Sequence, residues 1–216
     1  MAEFKVHLAG GIAAGAGASV AGHFMAGLTP LQAGAIFVVG SVGGLLPDLD
    51  SDTGKPLAFL FHLISVLLPS LLFVRAVQIG GDSPEFLICY FTASYLFINY
   101  VVCAIVKQVT VHRGMMHSIP FVFVCAGVAY LLFKPSGTQV AIMAAFAVFL
   151  GCLVHLVLDE ITSFRLKFGI IPVPKRSSGS AFKFKSDSLF ATLFIYLVLV
   201  VVVLAVFVPT LGSSAF

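Results

Sequence analysis

Long apolar runs separated by short polar stretches organise this chain. A helix needs about 20 apolar residues, with roughly 17–25 usual, to cross the hydrocarbon core of a bilayer. Seven runs come near that length: Leu8–Leu28, Leu31–Leu46, Leu57–Ile79, Phe86–Val106, Ile119–Phe133, Val140–Leu158 and Leu189–Val208. The second and fifth, at 16 and 15 residues, are short enough to be re-entrant or to sit in a thinned bilayer. The pattern predicts an all-α, polytopic membrane helix bundle of about 6–7 transmembrane helices, with residues 1–216 forming a single transmembrane domain. The first run is almost entirely Gly and Ala, with Gly11–Gly15 and Gly10–Ala14–Ala18–Gly22 at small-xxx-small spacing. That spacing suits close helix packing rather than lipid contact. The run lacks the basic n-region and small-residue cleavage site of a removable signal peptide. The stretch 159–188 is expected to be a basic loop, because Pro172 and Pro174 oppose a continuous helix.

Composition agrees with a bilayer and closes other routes. Hydrophobic residues make up 60% of the 216 positions and charged residues 10%, with a mean hydropathy of +1.11. A soluble domain carries about 25% charged residues, so this chain cannot cover an ordinary water-facing surface. Disorder, a disulfide scaffold and a nucleic-acid-binding domain are excluded, and no direct nucleic-acid partner is expected. Cys89, Cys103, Cys125 and Cys152 lie inside apolar runs at no metal-ligand or redox spacing, which reads as small buried hydrophobes.

The net charge of +3 matters less than where the charges fall. With a cytoplasmic N-terminus, one side holds Lys5, Lys55, Lys107, Arg113, Arg165, Lys167, Lys175, Arg176, Lys183 and Lys185, and the other keeps Arg75 and Lys134. This positive-inside bias predicts a bacterial inner-membrane protein with its N-terminus and its long basic loop in the cytoplasm.

The acidic and imidazole groups follow the same asymmetry. His7, His112, His117 and His155 fall at the cytoplasmic span ends, together with Asp48, Asp50, Asp52, Asp159 and Glu160. Ionisable residues near a membrane span are costly and so are candidates for function. At one edge they favour a site open to the cytoplasm over a mid-membrane pathway.

Three stretches carry this chemistry. Leu46-Pro47-Asp48-Leu49-Asp50-Ser51-Asp52 closes a span with alternating carboxylates that can converge on one cation or bridge two, and that also read as solvated helix-end acids. His112-Arg113-Gly114-Met115-Met116-His117-Ser118 opens another. Its two histidines cannot share one helix face, but Gly114 allows a turn before the helix. Arg113 between them is a planar donor suited to phosphate or carboxylate; a basic interfacial anchor is the plainer account. His155 and Asp159 stand at i and i+4 on one helical face, as two metal ligands or as a simple hydrogen-bonded pair. Together these residues form a mixed N/O set that suits zinc, manganese or iron. His62, about 8 Å below this face by helix rise, is an outside candidate to support the site, and His23 reads as structural.

These stretches, with His7 heading a Gly-rich span, HRGMMHS at 112–118 and HLVLDEIT at 155–162, resemble the YdjM-like family. Its members are bacterial inner-membrane proteins described as metal-dependent hydrolases and as LexA-binding. The resemblance runs from about residue 4 to 187 and includes Ser178-Gly179-Ser180-Ala181-Phe182-Lys183. It implies that His7, Asp48, Asp50, His112, His117, His155 and Asp159 are metal ligands. Met116 departs from the pattern, where Thr is expected, and so does Glu160–Arg165, where a Thr-Pro-Tyr-Gly-like turn is common.

The leading expectation is a membrane-bound metal-dependent hydrolase with divalent metal, zinc foremost and more than one ion plausible. Asp52 or Glu160 is the expected general base and Arg113 the clamp for a developing anion. Membrane lipids and an anionic, phosphate-bearing substrate are the expected partners. The alternatives are a non-enzymatic metal-binding scaffold that docks a cytoplasmic partner through the basic loop, and a cation transporter. The near absence of midplane polar residues, chiefly His62 and Asn99, weighs against transport.

Overall fold

Polar caps decide where the apolar runs of this computed structural model become helices. The structure describes residues 4–50, 54–109, 115–167, 171–174, 183–186 and 188–208. Helix α1 is Phe4–Met25 and α2 is Pro30–Gly43. Thr29 opens α2 with a capping box: Gln32 N–H donates to Thr29 Oγ1 at 3.3 Å and Thr29 N–H to Gln32 Oε1 at 2.9 Å, so two helix-end donors are satisfied at once. Between the two helices Gly27 takes φ +65°, a left-handed conformation that glycine adopts without strain, and Leu28 N–H returns to the Gly22 carbonyl at 3.0 Å.

Helices α3 (Gly54–Gly80), α4 (Pro84–Leu96) and α5 (Cys103–Val109) follow, with a π-helical stretch at Phe97–Val102 joining the last two. Ser118 caps α6 (Ile119–Phe133) and Ser188 caps α8 (Leu189–Phe207), each accepting a backbone N–H three residues on. Between them lies α7, Thr138–Thr162. Strands β1 (Phe164–Lys167) and β2 (Ile171–Pro174) pair antiparallel, with Arg165 opposite Val173.

Every apolar run thus contains helix, and six helical stretches are long and apolar enough to cross a membrane. The exception is α2, whose 14 residues span only about 21 Å. Several boundaries differ from the sequence expectation; α2, for one, ends at Gly43 and Leu46 opens a 3-10 turn. Helix α1 ends at Met25, because Gly27 turns the chain before Leu28. Helix α7 continues to Thr162, four residues beyond Leu158, so the stretch expected as loop from residue 159 begins as helix. The run Phe86–Val106 carries a π-helical interruption that its composition does not signal.

By packing, the chain forms two units: residues 1–47 with 113–216, and residues 48–112. In the first, α1, α2 and α7 meet through small residues. Ala18, Ile36, Ala141, Ala144 and Ala147 are fully buried in one cluster, and Val122, Cys152 and Leu156 in a second. The backbones approach so closely that a Cβ on Gly151 would lie 2.3 Å from the Gly40 carbonyl oxygen, and one on Gly44 2.5 Å from Gly11 Cα. Helix α8 buries only Ile195 and Val202, the latter seated against Gly127. The second unit packs Leu57, Phe61, Ile98 and Cys103 together, and Tyr90 donates its hydroxyl to the Pro69 carbonyl at 2.8 Å.

Candidate metal centre

The site lies in the first unit, where the ends of three helices bring four residues together. His7 sits in the first turns of α1. His117 immediately precedes the Ser118 cap of α6. His155 and Asp159 lie one turn apart near the end of α7, so their i, i+4 spacing puts both on one face. All four are buried, with relative exposures of 1%, 3%, 0% and 7% for His7, His117, His155 and Asp159. Burying this many polar groups is costly unless they are paired or ligate a metal.

Asp159 is the hub. Its Oδ1 lies 3.3 Å from His7 Nε2, and its Oδ2 lies 3.6 Å from His117 Nε2 and 3.9 Å from His155 Nε2. The His7 and His155 rings stack at 3.7 Å with 14° between their planes, and the His117 ring stands edge-on to His155 at 5.4 Å. Neither ring nitrogen of His7 makes a hydrogen bond.

Local structure holds each group in place. His155 Nδ1 donates to the Gly44 carbonyl at 2.7 Å, and one turn earlier on α7 the Cys152 thiol donates to the Gly43 carbonyl at 3.1 Å. These acceptors stand at the end of α2, where carbonyls have no partner within the helix. Around His117, the Ser118 hydroxyl donates to the Met115 carbonyl and accepts Phe121 N–H, fixing the turn that precedes α6. Ile119 N–H donates to the Lys183 carbonyl at 3.1 Å, which ties the late basic stretch to the same helix end. That stretch is held again at α8, where Tyr196 donates to the Phe184 carbonyl at 3.0 Å.

His117, His155 and Asp159 each offer one ligand atom, all within 4.8 Å of one another, and could hold a metal ion. The spacing fits. Zinc binds His and carboxylate at about 2.0–2.2 Å in a tetrahedron, which puts ligand atoms roughly 3.3–3.6 Å apart. The contacts of 3.3, 3.6 and 3.9 Å around Asp159 lie at and just above that range; His117, His155 and Asp159 make a three-donor set, and His7 meets the other oxygen of the Asp159 carboxylate.

Asp48 is buried in a 3-10 turn, Leu46–Asp50, which Asp50 ends; in the division by packing it belongs to the second unit. Glu160 is half-buried beside Asp159 on α7, and its carbonyl accepts the Ser163 hydroxyl at 2.6 Å. Asp52, His112 and Arg113 lie outside the described residues. His62 belongs to the second unit, where it hydrogen-bonds the Tyr95 hydroxyl at 2.9 Å. His23 donates to the Leu28 carbonyl at 2.8 Å, closing the end of α1. Sequence reasoning missed Gly43 and Gly44 as carbonyl suppliers. Gly40 and Gly44 stand at the same small-xxx-small spacing that marks α1, and that was the available signal.

Among known protein families, residues 1–214 match the one described as YdjM inner membrane protein. No curated protein and no solved structure matches the chain.

Proposed function

The chain belongs to the YdjM inner membrane protein family, and on that premise we propose that it is a membrane-bound, metal-dependent hydrolase. Its site would face the cytoplasm, and its substrate would be a phosphoester or a lipid-linked group. The observation that carries this reading is the convergence of three buried imidazoles on the single carboxylate of Asp159. Such a cluster is costly to bury unless it is paired or ligates a metal, and its donors are of the kind that suit zinc.

In this reading His7, His117, His155 and Asp159 hold the ion, which is zinc, with manganese or iron as alternatives. Bound there, it supplies Lewis acidity and a more reactive water near neutral pH. Asp159 neutralises charge at the centre, and the Gly44 carbonyl keeps His155 oriented. Glu160, next to Asp159, serves as general base, with Asp52 the second choice. Arg113 receives the anionic group, and the basic stretch that includes Lys183 draws anionic lipid to the site. Asp48, Asp50 and His112 are proposed ligands of a second ion. The cytoplasmic orientation is supported by ten cations against two on the opposite side.

The test is elemental analysis of purified protein, wild type against His117→Ala and Asp159→Ala, with phosphoester release from labelled lipids measured in parallel. One transition metal in the wild type, lost in both variants together with lipid hydrolysis, is the expected result. Full metal retention in both variants would remove the site. Metal loss with no hydrolysis over broad substrates would leave a docking scaffold as the better account.

A further inference from the structure

The end of α2 carries no ligand side chain, yet it meets α7 where the site is built. Gly43 and Gly44 present their carbonyls to Cys152 and His155, which are three residues apart on one face of α7. We infer that the Gly44 main-chain carbonyl is a positioning group for the metal centre: it holds His155 as the Nδ1–H tautomer and so dedicates Nε2 to the metal. The inference rests on the metal reading above for its purpose, but not for its geometry.

A neutral imidazole carries one proton on one of two nitrogens, and the hydrogen bond made by one nitrogen decides the role of the other. A carbonyl can only accept. At 2.7 Å from Gly44 O, Nδ1 must therefore be the protonated nitrogen, and the lone pair stays on Nε2. That atom lies 3.9 Å from Asp159 Oδ2 and belongs to the ring stacked on His7. The ring is fully buried, and this contact favours the Nδ1–H tautomer. A metal-bound His commonly donates its other ring N–H to a carbonyl or carboxylate, and losing that partner typically weakens metal binding about 10–100-fold.

Only glycines allow the contact. A Cβ on Gly44 would lie 2.5 Å from Gly11 Cα and 3.3 Å from the His7 carbonyl oxygen. One on Gly151 would lie 2.8 Å from Gly44 N and 2.3 Å from Gly40 O. The approaches of 2.3, 2.5 and 2.8 Å are clashes with backbone, which cannot swing aside, and the one at 3.3 Å is tight. The same close approach sets the His155 tautomer and brings His7 over His155, because His7 stands one turn before Gly11 on α1. Two ligands from distant stretches of chain are thus aligned by a residue that donates nothing to the metal.

The experiment uses full-length protein, ¹⁵N-labelled at histidine, in detergent micelles and stripped of metal. Two-bond ¹H–¹⁵N correlations report the tautomer of each ring, and His155→Gln identifies the His155 signals by their loss. The expected result is a single Nδ1–H tautomer at His155. An Nε2–H tautomer, or rapid exchange between the two, overturns the inference. A second arm compares cobalt binding, read from its visible absorption, in Gly44→Ala and in Gly34→Ala, where a new Cβ meets no atom within 4 Å. Affinity should fall about 10–100-fold in the first and stay level in the second. Unchanged affinity in a folded Gly44→Ala protein counts against the inference, and if that variant does not fold, the wild-type tautomer decides alone. An Nδ1–H tautomer in a protein that binds no metal sinks the hydrolase reading while leaving the positioning intact.

Discussion

Replacing Gly15 with alanine tests whether helix contact in this protein depends on the missing side chain. The new methyl would lie 2.5 Å from the Phe37 carbonyl oxygen, 2.7 Å from Ser41 Oγ and 2.8 Å from Ser41 N. Ordinary contact begins near 3.4 Å, so α1 and α2 must part locally by roughly 0.9 Å. A gap of about 0.5–1 Å forfeits a quarter to a half of the dispersion attraction across it, and overpacking of this kind costs about 1–3 kcal/mol. The control lies two residues away. Gly17 is exposed and a Cβ there meets nothing within 4 Å. Both substitutions gain the same helix propensity, about 0.8–1 kcal/mol in water, so the difference between them isolates the contact. Gly15→Ala should be less stable than Gly17→Ala by about 2 kcal/mol. The chain contains no Trp, so far-UV circular dichroism during an SDS titration in one detergent is the suitable assay. Equal stability of the two variants would refute the close-packing argument for α1 and α2.

Three further outcomes follow from the same packing and placement. Leu156→Ala removes a fully buried side chain from the cluster shared with Val122 and Cys152 and should cost about 2–5 kcal/mol in that titration; a loss under about 1 kcal/mol would mean the α6–α7 core is loose. His23→Leu loses its bond to the Leu28 carbonyl, worth about 0.5–1.5 kcal/mol, and should leave metal content unchanged by elemental analysis; metal loss would move the centre away from Asp159. Cysteines introduced at Ser180 and Ser213, labelled in intact cells with a membrane-impermeant maleimide, should react only at Ser213; labelling at Ser180 would reverse the proposed orientation.

The helices were legible because the bilayer imposes a length on them. Ile119–Phe133 is matched to the residue by α6, and Pro172 and Pro174, which opposed helix, lie in β2. What could not be read were features set by local hydrogen bonding. The π-helical stretch at Phe97–Val102 holds one polar residue, Asn99, and is otherwise as apolar as its flanks. Phe164–Lys167 does alternate apolar and polar positions, but over four residues only, and its partner Ile171–Pro174 carries two prolines that mask it as a strand. For the site, the scarcity of charge made His7, His117, His155 and Asp159 stand out, and the structure brings these four together. Their support was hidden because it is main chain and non-local. Gly44 lies 111 residues from His155, and a carbonyl leaves no mark in a sequence.

Helix α8 answers to a different authority from the rest of its unit. Apart from Tyr196, whose hydroxyl reaches the Phe184 carbonyl, it buries only Ile195 and Val202. Lipid tails are as apolar as leucine and specify no particular shape. The outer faces of this helix are therefore written by the solvent they meet, not by a partner they fit. Aliphatic residues there should drift freely among Leu, Ile and Val, while Val202 and the Gly127 beneath it should change only as a pair. An unrelated apolar segment, spliced in with that one register kept, would serve as well.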